Sequence, residues 1–285
     1  MVKNNPYQML YYTLNNALFH ENSRKYYVTG DEEDVKNITL DEINLVYNTF
    51  YHPANMFLVV TGNIDPDYLD VVIRENQNTK EFKEYLEPVK IRPKEKETVC
   101  EERKIITGNI TVPKLRIAYK IKKSSLGSIS DMEKLVYTRI IMNANFGTTS
   151  QIKERLLESN LVSKLSTNAS IVDDYLIINI NAETKYPTEI EKMLKENYEN
   201  MDLTPKRLER RIRCNIADFI YGLDNIEYLN SMVQDNIMTY GKLITNTYDI
   251  IKNLNIETAS RVINDLKKYS TCTVIMNPLE EQSSN

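Results

Sequence analysis

The chain has 285 residues, 41% of them hydrophobic, and a formal net charge of −4 with both signs interspersed; it can bury one large or two medium cores, and it lacks the one-signed surface that nucleic acid or an anionic membrane selects. No apolar run approaches the length of a bilayer span and residues 1–5 do not read as a signal peptide, so a cytoplasmic protein without a membrane partner is expected. Cys100, Cys214 and Cys272 are odd in number and far apart, without C-x-x-C spacing, which argues against a disulfide framework or a zinc knuckle and makes Cys214 and Cys272 small core residues.

Residues 6–20 read as a helix: Pro6 suits its start, and Met9, Leu10, Tyr12, Leu14, Ala17 and Leu18 form an apolar surface broader than one stripe, which demands partners on more than one side. Residues 22–34 read as a charged polar loop. Thr39 and Glu42 then have the spacing of a capping box, and Ile43, Val46, Tyr47 and Phe50 recur at i, i+3, i+4, i+7 along one helix face. His52-Pro53 ends that helix, and the apolar, partly β-branched run 56–60 predicts a buried strand. Asp65-Pro66 opens a further helix whose buried face is Leu69, Val72 and Ile73.

Between 79 and 97, Lys80, Lys83, Lys90, Arg92, Lys94 and Lys96 alternate with Glu81, Glu84, Glu87, Glu95 and Glu97, interrupted by Pro88 and Pro93, as in a solvated connector. Beyond it, strands are predicted over 99–106 and through Leu115, Ile117, Tyr119 and Ile121, which alternate with more polar neighbours at period two. Ser130 and Glu133 cap a helix that runs to Phe146-Gly147, a short helix covers 150–158, and strands follow near 161–170 and 175–182. Helices open at Pro187, at Thr204-Pro205 and near Asn225. The second of these carries Lys206, Arg207, Arg210, Arg211 and Arg213, for which salt bridges are the expected use, in the absence of an aromatic stacking platform. Strands first, helices between and a closing strand give an α+β fold with a mainly antiparallel sheet covered by helices.

The helix–turn–strand of residues 37–64 recurs near the end of the chain. At an offset of 255 − 39 = 216, Asn255 falls on Thr39, Val262 on Val46, Leu266 on Phe50, and Ile275 on Val59, without a gap. Such self-similarity predicts two homologous domains: 1–78 as the C-terminal part of a first, 79–97 as linker and 98–285 as a second. Because 98 − 216 = −118, the first domain is expected to begin before Met1 and to be incomplete here.

Gly30-Asp31-Glu32-Glu33-Asp34, Ile38-Thr39 with Asp41-Glu42, Tyr51-His52-Pro53-Ala54-Asn55-Met56, and Gly62 with Asp65-Pro66 follow in an order and spacing that resembles the insulinase/pitrilysin-type zinc metallopeptidases, in their processing-peptidase-like bacterial branch. The resemblance is dense over 5–78 and collinear, though weaker, to 278. It implies a zinc ion held by an H-x-x-E-H helix and a distal glutamate, the latter just ahead of the segment matching Met1 to Tyr7. In such an enzyme zinc activates water and a glutamate takes its proton. This chain has only His20 and His52 and no H-x-x-E-H, so no catalytic or metal residue is carried over, and zinc is expected only in the full-length enzyme. An arginine and a tyrosine that grip substrate backbone in the family would fall on Leu157 and Ser163, leaving the substrate-binding residues unknown.

The resemblance implies the C-terminal portion of an insulinase-like zinc metallopeptidase, forming part of the wall of a peptide-hydrolysing chamber and inactive alone. Its partners would be the missing N-terminal half-domain or a homologous peptidase subunit, with a peptide as substrate of the assembly. The alternatives are a non-catalytic partner subunit that pairs with an active zinc peptidase, and a binding module acting through the basic helix.

Overall fold

The computed structural model describes residues 5–89 and 91–279; Lys90 of the charged run and residues 1–4 lie outside it. Two compact units form, one from Met1–Tyr27, Pro93–Asn215 and Asp249–Asn285, the other from Val28–Arg92 and Ile216–Tyr248. Neither is a continuous stretch of chain.

The first unit is built on a five-stranded sheet: β1 (Arg103–Gly108), β2 (Lys114–Lys122), β3 (Lys164–Val172), β4 (Tyr175–Glu183) and β5 (Ser270–Pro278), in the spatial order β1-β5-β2-β4-β3. All neighbours are antiparallel except β1 and β5. Period-two alternation sets the two faces. Leu115, Ile117, Tyr119 and Ile121 of β2 and Leu176, Ile178 and Ile180 of β4 are fully buried. The helices of this unit include α5 (Asp131–Phe146), α6 (Gln151–Glu158), α7 (Pro187–Glu199) and α11 (Ile256–Leu266). Tyr119 stacks on Tyr198 of α7 with ring centroids 3.7 Å apart, and Tyr269 meets both rings edge-on. Glu191 of α7 reaches the sheet, accepting from Thr273 at 2.7 Å and pairing with Arg103 and Lys195. Burial alone would raise its pKa, but the hydrogen bonds from Lys195, Thr273 and Arg103 hold it below the ordinary carboxylate value.

Among the described residues one α-helix, α1 (Pro6–Leu18), packs on the opposite face. Its Leu10, Leu14, Ala17 and Leu18, with Phe19, pack in one cluster with Ala118, Ile177, Val172, Val274 and Met276, so the broad apolar surface read in the sequence is met by a sheet. The attachment is sealed by an ion pair. Lys120, with its side chain 0% exposed, donates to Glu95 at 2.7 Å, to the Leu18 carbonyl at 3.0 Å and to the Thr98 carbonyl at 3.2 Å. Glu95 in turn accepts from the backbone N–H groups of His20, Glu21 and Asn22. Glu95 of the charged connector therefore has a buried side chain, while Lys94, Lys96 and Glu97 beside it stay exposed as a solvated run would. Burial opposes the charge on Glu95, but the bonds from Lys120 and from the His20 and Glu21 amides outweigh it and hold the pKa at about 2. Burial pulls Lys120 below the usual lysine value in spite of its partner.

The second unit contains α2 (Glu32–Asn37), α3 (Leu40–Phe50), α4 (Pro66–Asn78) and α9 (Ile226–Tyr240). Thr39 and Glu42 form the capping box expected of them, and Asp65 caps α4. Two expectations are corrected here. Residues 31–37, read as the end of a loop and its sequel, carry α2, because Asp31 and Asp34 make a capping box of their own. The run 56–60 is not a strand: the backbone is extended at Met56 (φ −122°, ψ 152°), but no described segment supplies the ladder that a strand requires. Its Phe57 and Leu58 stay 51% and 69% exposed, and its polar contact is from Asn230 of α9, which donates to the Val59 carbonyl and to Thr61.

The repeat persists in the secondary structure. The N-caps Thr39 and Asn255 are 216 residues apart and each begins an 11-residue helix, α3 and α11. One step earlier, α2 and the six-residue α10 (Thr247–Lys252) are related by 247 − 32 = 215. One helix further back, α1 packs on β5 and α9 bonds to 59–61, the segment equivalent to β5.

Replacing Lys120 by Met leaves Glu95 as an uncompensated buried charge and should lower unfolding stability by about 3 kcal/mol or more in urea titration. Because the folded pKa of Glu95 lies below the unfolded value, its contribution is complete above about pH 4.5 and is lost as pH falls toward about 2. Over that window the gap in stability between the wild type and Glu95→Gln should narrow; a constant gap would refute the assignment.

Candidate functional site

The face of the sheet beneath α1 is divided along its length. Where β5 contributes Cys272, Val274 and Met276 it is apolar and sealed by the helix. Toward β3 it turns polar, in cross-strand rows fixed by register: Arg116 opposite Asn181, itself opposite Ser166, and Ala118 opposite Asn179, itself opposite Asn168. α1 lies over the apolar part and leaves two clefts along the polar part. The smaller, about 170 Å³, is lined by Tyr7, Lys114, Arg116, Lys164 and Glu183 among others. The larger, about 290 Å³, lies between Leu14, Asn15 and Arg24 on one side and Arg116, Asn179 and Asn181 on the other.

Both clefts share Arg116 and Asn181. In the smaller, Lys114 donates to Glu183 at 2.8 Å and to the Tyr7 hydroxyl at 3.2 Å, while its ammonium lies 4.5 Å from the Tyr7 ring centroid. Burial would lower the lysine, but these bonds raise it above its ordinary value. Arg116 is different: no ion pair or hydrogen bond to its guanidinium occurs among the described residues, and burial pushes its pKa down. Two residues that line the larger cleft each carry a buried polar atom without a hydrogen-bond partner, Nδ2 of Asn15 and Oδ1 of Asn179. The cleft thus combines Arg116, a donor and an acceptor that the protein itself does not satisfy, with a second arginine, Arg24, on its other side.

Sequence reasoning did not reach this site. The period-two reading identified the apolar face of β2 and gave Arg116 only as one of the more polar residues between its members. The signal that could have found it is the breadth of the apolar surface on α1.

The residues that were singled out in the sequence lie elsewhere. Leu157 sits on α6 and Ser163 just before β3, where its N–H donates to the Glu183 carbonyl. His52 is a turn residue: Nδ1 accepts from Ala54 N–H at 3.1 Å, Nε2 meets the Lys83 carbonyl at 3.1 Å, and the ring stacks on Tyr85. His20 is half-buried, and its Nε2 has no partner. No three His, Cys, Asp or Glu side chains come together among the described residues, so zinc finds no fitting donor set in them. Cys272 is buried, which pushes its thiol up to about 12, whereas Cys214 is exposed because it falls outside the Leu208, Ile212, Ile216 stripe of α8 (Pro205–Leu223). The arginines of α8 serve the end of α5. Arg207 donates to the Ala144 carbonyl at 2.6 Å and pairs with Asp202, and Arg211 donates to the Asn143 carbonyl at 2.8 Å, which also accepts the Gly147 N–H, so both arginines add positive donors at the C-terminal end of the helix. Arg211→Ala should therefore cost about 1 kcal/mol in urea unfolding; an unchanged midpoint would deny Arg211 this role.

The sequence profile of the peptidase M16 inactive domain matches residues 37–210. Among curated proteins, "Uncharacterized zinc protease YmfH" of Bacillus subtilis (strain 168) is 24% identical over 288 residues, covering 96% of this chain and 65% of that protein. The chain therefore spans just under two thirds of that relative's length. Among solved structures, a putative M16-like peptidase from Alicyclobacillus acidocaldarius superposes with a TM-score of 0.87 at 24% identity, covering 98% of this chain and 67% of the other. A protease from Helicobacter pylori gives 0.77 at 17% identity, with 96% and 67% covered. A peptidase M16 inactive domain from Pseudomonas fluorescens gives 0.71 at 15%, with 99% and 68% covered. No helix among the described residues is long and apolar enough to cross a membrane.

Proposed function

Since the chain belongs to the peptidase M16 inactive-domain family, we propose that it is the non-catalytic portion of an insulinase-like zinc metallopeptidase and walls part of the chamber in which that enzyme hydrolyses peptides. Zinc and the general base belong, in this reading, to a complementary half-domain that carries H-x-x-E-H. The observation that carries it is the second unit's uncovered apolar surface. Ile43, Val46, Tyr47 and Phe50 of α3 form the amphipathic stripe whose burial the sequence demands, yet all four are exposed, as are Phe57 and Leu58 of the extended run. An apolar run poised as a strand but lacking a ladder is completed by pairing with a neighbouring sheet.

The complementary half could be covalently continuous with this chain or belong to a second peptidase subunit, and one measurement separates the two. The protein purified from its own cell should either exceed 33.3 kDa by a hundred or more residues containing H-x-x-E-H, or copurify with a homologous chain that contains it. The isolated 285-residue chain should enhance the fluorescence of an apolar dye through residues 43–58, and should hydrolyse no peptide with or without added zinc. A native 33.3 kDa monomer without dye binding would overturn the reading.

A further inference from the structure

The larger cleft beneath α1 has chemistry that a chamber wall does not need. Arg116 presents a guanidinium with no carboxylate facing it among the described residues; the acidic group of the neighbouring cleft, Glu183, is engaged by Lys114 and Tyr7. Asn15, only 6% exposed, leaves Nδ2 as an unused donor, and Asn179 leaves Oδ1 as an unused acceptor. Leu14, Val172 and Ile177 give the same cleft an apolar part. A buried polar atom without a partner carries a desolvation cost of about 1–3 kcal/mol, so a ligand that satisfies both amides and the guanidinium together gains from all three. A planar carboxylate matches the fork of an arginine. Acetate or another simple anion would supply acceptors only and would leave Asn179 Oδ1 unmet. An amide beside the carboxylate supplies the missing N–H for Asn179 and a C=O for Asn15.

We propose that this cleft binds the carboxylate end of an N-acylated amino acid, free or as the last residue of a peptide: Arg116 holds the carboxylate, Asn15 and Asn179 hold the adjoining amide, and the apolar part takes the side chain. The site lies wholly within the first unit and does not rest on the chamber reading; it would stand if no zinc-bearing half were ever found.

The test is calorimetric titration of the 285-residue chain with N-acetyl-leucine, N-acetyl-leucinamide and 4-methylpentanoate, which removes in turn the charge and the amide. N-acetyl-leucine should bind saturably, and each of the other two at least tenfold more weakly. A peptide with a free C-terminal leucine that binds as tightly as N-acetyl-leucine identifies a chain end as the natural ligand, and its exclusion identifies the free acyl amino acid. Arg116→Gln should abolish binding, with Arg116→Lys restoring part of it, and Asn15→Leu should weaken it while leaving the urea midpoint no lower. No saturable binding of N-acetyl-leucine, or equal binding of the acid and its amide, overturns the proposal, and this comparison on the unmodified chain needs no variant to fold.

Discussion

A lysine with no access to water decides how the first unit is put together. Lys120 stands on the face of β2 that α1 covers, and a buried ammonium is tolerable only when its donors are met. Its acceptors come from two separate stretches: the last turn of α1, and the end of the connector, where Glu95 and the Thr98 carbonyl both accept. Phe19 and Tyr175 add their ring faces at 5.1 and 4.8 Å. Each stretch is thereby bound to the sheet by the same charge. Glu95 transmits the tie further, since its second oxygen gathers the chain that leaves α1. The helix cannot be lifted away without taking the Leu18 carbonyl from Lys120 and the His20, Glu21 and Asn22 N–H groups from Glu95.

The consequence for the sheet is an asymmetry between its faces. One face carries the aromatic stack of Tyr119, Tyr198 and Tyr269 and the Glu191 network. The other has one helix whose apolar width matches only the part near β5, so the polar rows of β2, β4 and β3 remain beside it as clefts. The geometry of those clefts therefore descends from a mismatch of widths between a helix and a sheet.

Much of this was legible along the chain because it rests on short-range chemistry. Thr39 with Glu42 and Ser130 with Glu133 lie three residues apart and cap their helices as their spacing requires. β2 follows from alternation and β5 from the register of the repeat, and the α+β class follows from the order of strands and helices. What escaped depends on partners far away in sequence. Glu95 looks like any other acid in a charged run until Lys120, 25 residues on, is placed beside it. The run 56–60 has the composition of a strand, but composition cannot provide a neighbour. Arg116 was visible only as the polar member of an alternating pair, and its lack of a counter-ion is a fact of three dimensions. The family, by contrast, was legible from motif order, because turns and caps keep their spacing where the active-site motif is absent.

The order of strands also bears on how the chain is made. β5, which follows the other four strands in the sequence, lies inside the sheet between β1 and β2. Until it arrives, β1 has no neighbour, and the hairpin-linked strands β3 and β4 can do no more than extend to β2. α1, which precedes all five strands in the sequence, meanwhile waits for the Val274 and Met276 side chains that complete its seat. Closure of the first unit is thus a late event that joins segments more than 250 residues apart, with the loop entropy and the transiently bare apolar surface that such long-range closure entails.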